Sequence, residues 1–162
     1  MTGMPSRTTH HASRFFWLLV LTLLIAAGLR LWQIEALPPG LHYDEAADTI
    51  IAQQIARGES APIFVAAYTG KEVLFFYWAA LWMKLIGSSV FAMRLAAALL
   101  GVLTVAAAYW TVRELFASRA EHPVGKMQVA GGQIIAGLAL MLIAPSFWHV
   151  LMSRLGFRSI GE

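Results

Sequence analysis

A chain of 162 residues that is 59% hydrophobic and only 13% charged stands well above the roughly 45–50% apolar content of a soluble domain, which argues for a membrane protein and against a water-soluble globule. The absence of cysteine removes disulfides, thiolate nucleophiles and Cys-ligated metal centres. Twelve Lys and Arg against nine Asp and Glu give a net charge of +3. That excess suits loops beside anionic lipid better than a nucleic-acid surface, and the sequence holds no basic stripe of the nucleic-acid kind.

In chain order, residues 1–14 form a polar tail, and residues 15–34 are expected to be the first transmembrane helix. Phe15 to Leu29 is free of charge, and the run reaches Ile34 if Arg30 snorkels its head to the lipid headgroups. A cleavable signal peptide is the rival reading, since Arg14 precedes the run and Ala26, Ala27 and Gly28 are small. Residues 35–90 form a long loop in which Leu37-Pro38-Pro39-Gly40 ends the first helix. A helix is expected from Asp44 to Gly58, with Ala47, Ile50, Ile51 and Ile55 on an apolar face lying flat on the membrane.

The segment from Lys71 to Gly87 carries Phe75, Phe76, Tyr77, Trp78 and Trp82. Its apolar stretch is too short to cross hydrocarbon, which takes ~20 residues, so a helix in the membrane interface is expected. Residues 91–112 are the second expected span, bounded by Arg94 and Arg113, with Arg94 snorkelling. Residues 113–128 form a loop and residues 129–152 the third span, which Pro145 should bend or end. Residues 153–162 are a tail. Small residues such as Ala98, Gly101, Gly132 and Ala136 should serve helix contacts.

Sidedness follows from the Lys and Arg in the loops. Arg7, Arg14, Arg113, Arg119 and Lys126 place the N-terminus and the 113–128 loop in the cytoplasm. The 35–90 loop then lies outside a multi-pass cell-membrane protein. It carries Glu35, Asp44, Glu45, Asp48, Glu59 and Glu72 out of nine acids, and a long acid-bearing external loop is where chemistry would sit.

Asp44 and Glu45, with Asp48 a turn later, are the most informative residues. Asp44 and Asp48 are expected to share a helical face with Glu45 pointing aside. A carboxylate there could act as general base, or hold a divalent cation with Glu45 and His42. Acids in a first turn are also common dipole partners. Lys71 and Glu72 stand where a lipid phosphate would travel, and equally describe a solvated helix end. Arg154 and Arg158, four apart, suit phosphate binding, and equally suit a tail.

The motifs Arg30-Leu31-Trp32, Pro38-Pro39-Gly40-Leu41-His42-Tyr43-Asp44-Glu45-Ala46, Gly70-Lys71-Glu72-Val73-Leu74-Phe75-Phe76-Tyr77-Trp78, Phe91-Ala92-Met93-Arg94-Leu95 and Ser153-Arg154-Leu155-Gly156-Phe157-Arg158 come in one order. In this the chain resembles the N-terminal third of bacterial GT-C membrane glycosyltransferases, similar to protein O-mannosyltransferases and the lipid A aminoarabinose transferase. The aminoarabinose enzymes are expected to read Glu-Lys-Pro where this chain reads Lys71-Glu72-Val73.

The resemblance implies an all-α integral membrane protein with external juxtamembrane helices, here a truncated GT-C fold of about three spans of the ~20-residue kind. It implies inverting transfer of a sugar from a polyprenyl-phosphate donor to a protein or lipid/glycan acceptor. By that resemblance Asp44 and Glu45 are the catalytic acids and Lys71, Glu72, Arg154 and Arg158 the phosphate or donor contacts. The cofactor requirement stays open, a divalent metal included. Partners are the lipid-linked sugar and membrane lipid, without nucleic acid. As a fragment, the chain is expected not to turn over by itself. The alternatives are a noncatalytic membrane module that binds polyprenyl lipid or a partner subunit, and a transporter fragment.

Overall fold

The computed structural model describes residues 8–66, 72–117 and 127–156. They form α1 (Thr8–Leu31), α2 (Tyr43–Ala56), α3 (Leu74–Ile86), α4 (Val90–Ala117), α5 (Met127–Ile143) and α6 (Phe147–Arg154), and no sheet is present among them. The fold is all-α, as composition and periodicity predict. α4 is the central helix and touches α1, α3, α5 and α6, while α2 packs on α3.

Two apolar clusters meet along α4. One joins α2, α3 and the start of α4 through Ile51, Ala52, Ile55, Phe76, Met83, Met93 and Ala96. Removing a side chain the size of Phe76 from water contributes about 1.5–3 kcal/mol. The other joins α1, α4 and α5 through Ala26, Val105, Tyr109, Ala136 and Leu140. Of the small residues expected to serve helix contacts, Ala98 and Ala136 are fully buried, and Ala92, Ala96 and Ala97 are buried as well, which lets neighbouring backbones approach. The Trp78 indole adds a directional tie, donating to the Ala96 carbonyl at 2.9 Å.

α2 starts one residue earlier than expected because His42 caps it: its Nδ1 accepts from the Asp44 N–H at 3.4 Å. It ends before Gly58, whose φ of 74° is a left-handed conformation that glycine adopts without steric cost. Ala47, Ile51 and Ile55 are buried as expected, but Ile50 is exposed. The buried face is centred on Glu45, Asp48, Ile51, Ala52 and Ile55, so α2 turns two of its three acids inward and cannot present the whole expected stripe to lipid.

The run from Val129 to Met152 is not one straight helix. Gly132–Ile143 and Phe147–Arg154 meet at a 60° bend, because Pro145 has no N–H to continue the ladder. The Ala144 carbonyl freed at the break accepts from Arg30 Nη1 at 3.1 Å, and the same nitrogen donates to Ala26 O at 2.8 Å. Arg30 Nη2 lies 2.6 Å from His149 Nδ1. A guanidinium can only donate, so His149 is neutral there with its proton on Nε2. The expected snorkelling of Arg30 is therefore corrected. Its head is fully buried, since the carbonyls at the α5 break and the imidazole offer acceptors closer than the headgroups.

α1, α4 and α5 turn large apolar side chains outward, among them Trp17, Leu24, Leu103, Trp110, Leu138 and Leu142. Such surfaces are costly in water and ordinary in hydrocarbon. Among the described residues one helix, Val90–Phe116, is long and apolar enough to cross a membrane, and the bent α5–α6 pair passes the same test if taken as one span.

At Gly101 α4 and α6 are in close contact: a Cβ there would lie 2.5 Å from Ser153 Cβ. Gly101→Ala should therefore lower the melting temperature in detergent, by a destabilisation of about 1–3 kcal/mol. Gly28→Ala, in α1 with open space around its Cα, should leave the temperature unchanged or raise it.

Candidate active site

The loop between α1 and α2 has little regular structure to satisfy its backbone carbonyls, and two arginines from distant elements do so. Arg94, the fifth residue of α4, donates through Nη1 to Ile34 O, Glu35 O and Pro38 O at 3.0, 3.3 and 3.1 Å, and through Nη2 to Gly40 O at 2.6 Å. Arg154, at the end of α6, donates through Nη1 to Leu29 O at 2.9 Å and through Nη2 to the carbonyls of Trp32, Gln33 and Leu37. Cations at the C-terminus of a helix are favoured by its dipole, and the last-turn carbonyls have no partner within the helix.

Arg94 also closes a buried ion pair. Its Nε donates to Glu45 Oε1 at 2.7 Å and its Nη2 to Glu45 Oε2 at 3.2 Å. The two side chains are 1% and 0% exposed. Glu45 Oε1 accepts in addition from the Gly156 N–H at 3.3 Å. A side chain at 156 would crowd this contact, since a Cβ would sit 2.7 Å from Met93 Cγ. The α1–α2 loop, the start of α2, the start of α4 and the end of α6 are thus fastened at one charged point.

Arg94 does not reach toward headgroups, contrary to expectation. The carboxylate of Glu45 and the loop carbonyls together take up its fork of donors, and a guanidinium gains more from fixed acceptors in a low-dielectric interior than from distant lipid.

The neighbouring carboxylate has the opposite fate. Consecutive residues on a helix diverge by about 100°, so with Glu45 facing inward Asp44 faces out. Its side chain is 55% exposed, and Oδ2 lies 3.9 Å from Nδ1 of His42, itself 57% exposed. Asp48, one turn on, is 1% exposed and engaged with a partner. The expected grouping of Asp44 with Asp48, and Glu45 aside, is therefore corrected: Glu45 and Asp48 share the buried face, an i, i+3 pair lying on one side of a helix as readily as i, i+4.

Chemically, the arrangement offers an exposed carboxylate beside an imidazole, at the positive end of α2, on a rigid footing. A carboxylate so placed can accept a proton from a hydroxyl or amine that approaches to hydrogen-bond distance. Glu45 has both oxygens committed to Arg94. No group of three His, Asp or Glu side chains among the described residues is placed to hold a metal ion, and His42 with Asp44 supplies two donors.

Of the other expected contacts, Lys71 and Arg158 lie outside the described residues. Glu72, just before α3, is exposed and has an interaction partner. Arg154 is described, and its Nη atoms face the α1–α2 carbonyls. Sequence reasoning missed Arg94 as the partner of Glu45. The available signal was an ionisable residue at the head of an otherwise apolar helix, costly there unless paired.

Glu45→Gln leaves the Arg94 cation buried without a counter-charge and should cost about 3–5 kcal/mol, read as a large drop in melting temperature in detergent. Asp44→Asn at the exposed neighbour should cost less than about 1 kcal/mol.

No curated protein and no solved structure matches the chain. Residues 71–122, from before α3 to beyond α4, match the family model described as dolichyl-phosphate-mannose-protein mannosyltransferase. This similarity covers less than half of the chain and is consistent with a glycosyltransferase of the GT-C type.

Proposed function

We propose that this chain serves in a membrane glycosyltransferase that moves a sugar from a polyprenyl-phosphate donor to a protein, lipid or glycan acceptor, with Asp44 as the general base. The observation that carries this reading is the contrast between adjacent carboxylates: Glu45 locked against Arg94 and Asp44 presented to solvent from the same helical turn. The partial family match over residues 71–122 supports the reaction class.

In the proposed step the acceptor oxygen or nitrogen attacks the anomeric carbon while the bond from that carbon to the phosphate oxygen breaks. The acceptor proton passes to Asp44 and the electron pair leaves with the phosphate, inverting the carbon. Cations near the departing phosphate stabilise its charge. Lys71 and Arg158 are the candidates for that contact, with Glu72 beside Lys71. Glu45 and Arg154 act as positioning residues that hold the loop leading into the helix that bears Asp44, since their polar atoms are turned to the α1–α2 loop and to Arg94.

The reading includes α1, α4 and the bent α5–α6 pair as membrane spans, with the N-terminus in the cytoplasm and Asp44 outside. The basic residues Arg7, Arg14, Arg113, Arg119 and Lys126 support that sidedness. Reporter fusions after Asp48 and after Arg119 should report opposite sides. A cytoplasmic signal at Asp48 rejects the site assignment.

Activity is tested with native membranes, in which the chain is present with any further segments of its own protein, and a radiolabelled polyprenyl-phosphate sugar. Asp44→Asn should lower kcat about 10²- to 10⁴-fold with an unchanged melting temperature, and retained turnover removes Asp44 from the mechanism. Lipid binding without transfer by the native chain favours the noncatalytic module instead.

A further inference from the structure

The interior beside the α5 break holds a positive charge with no negative one next to it. Arg30 is fully buried, and its acceptors are all neutral: the carbonyls of Ala26 and Ala144, and the Nδ1 lone pair of His149 at 2.6 Å. Its Nε, which a Cβ at Gly101 would approach to 3.1 Å, has no hydrogen-bond partner among the described residues. The surrounding helices supply no carboxylate. α1, α5 and α6 contain neither Asp nor Glu, and the one acid of α4, Glu114, stands roughly 20 Å of helix away from Gly101. Toward the end of α6, Glu45 has both oxygens on Arg94, Glu35 is exposed on the α1–α2 loop, and Arg154 adds a further cation.

His149 therefore meets a cation through its lone pair, and that bond holds only while the ring is neutral. A second ring proton would occupy the lone pair, deprive Arg30 Nη2 of its acceptor and set two cations in contact where the dielectric is low. The consequence reaches beyond the pair because His149, half-buried, is carried by the short helix α6. Through Arg154 the same helix holds the carbonyls of Leu29, Trp32, Gln33 and Leu37, and just past its end the Gly156 N–H meets Glu45.

We propose that the Arg30–His149 contact is an acid-sensitive latch. With His149 neutral, α6 is seated on α1 and α4; proton uptake by His149 unseats it and frees the α1–α2 loop from Arg154. The inference rests on the packing of the helices and not on sugar transfer, so it stands or falls apart from the role of Asp44.

The native chain has no cysteine, so Ser153→Cys places a single thiol on the fully buried face of α6, against Gly101. The full chain in detergent is treated with a pyridyl disulfide at about pH 8 and about pH 5.5, the two sides of the range in which imidazoles change charge. The reaction is run in the native background and with His149→Asn, whose amide oxygen can accept from Arg30 but takes up no proton. Dividing one rate by the other cancels the ionisation of the thiol itself. An imidazole in water gains its proton at about pH 6.5, so if only the unseated helix can hold that proton, opening becomes about tenfold more favourable by about pH 5.5. The native-to-variant ratio of rates should therefore rise about tenfold on acidification, and a ratio that stays flat overturns the latch. Melting temperatures with Ser153 intact give a second reading that does not depend on the thiol variant folding. Acidification should lower that of the native chain more than that of His149→Asn, and equal falls overturn the proposal.

Discussion

A guanidinium removed from water must find acceptors for its planar fork of donors, and Arg94 finds them in Glu45 and in four carbonyls of the α1–α2 loop. Each partner comes from a segment that would otherwise be free to move: an irregular loop, the first turn of α2, and through Gly156 the end of α6. A buried ion pair contributes little net stability by itself, because desolvation offsets the Coulombic gain. Its effect is on arrangement, since moving Glu45 away from Arg94 would leave two buried charges without partners. The helix period does the rest, sending Asp44 outward where Glu45 goes inward.

The same solution recurs at the other helix ends. Arg154 meets carbonyls at the close of α1, and Arg30 meets the carbonyl exposed where Pro145 breaks the α5–α6 run. Arginine suits these places because several donors on one rigid plane can serve several carbonyls at once. In an apolar environment an unsatisfied carbonyl costs far more than in water. The arginines thus fasten the helix ends and the loop that leads to Asp44, and the outward surfaces of α1, α4 and α5 are left to apolar side chains.

That division bears on the proposed chemistry. A general base is useful only if it is held still while its carboxylate remains accessible. Asp44 is at the start of a helix whose inner face is buried against α3 and tied by Glu45 to Arg94, so its backbone is fixed although its side chain is open. The partial mannosyltransferase similarity includes Arg94 and α3 and does not include Asp44, so it reaches one half of the clamp and the floor beneath the candidate base.

Composition and periodicity alone were enough for the helical class, the broken third hydrophobic run at Pro145 and the short aromatic helix of α3. Those are local properties: the spacing of apolar residues, the missing proline N–H, the length of a run against the thickness of hydrocarbon. The direction of each acid was not legible, because i, i+3 and i, i+4 partners both lie on one face and the choice depends on which face α3 and α4 cover. Nor was the fate of Arg30, Arg94 and Arg154, all of which read as charges bound for headgroups or phosphates. Apart from the Ala26 carbonyl one turn from Arg30, their acceptors lie 49 to 125 residues away in the chain, and only the folded arrangement brings carbonyls and carboxylate within reach of a guanidinium before lipid or water can compete.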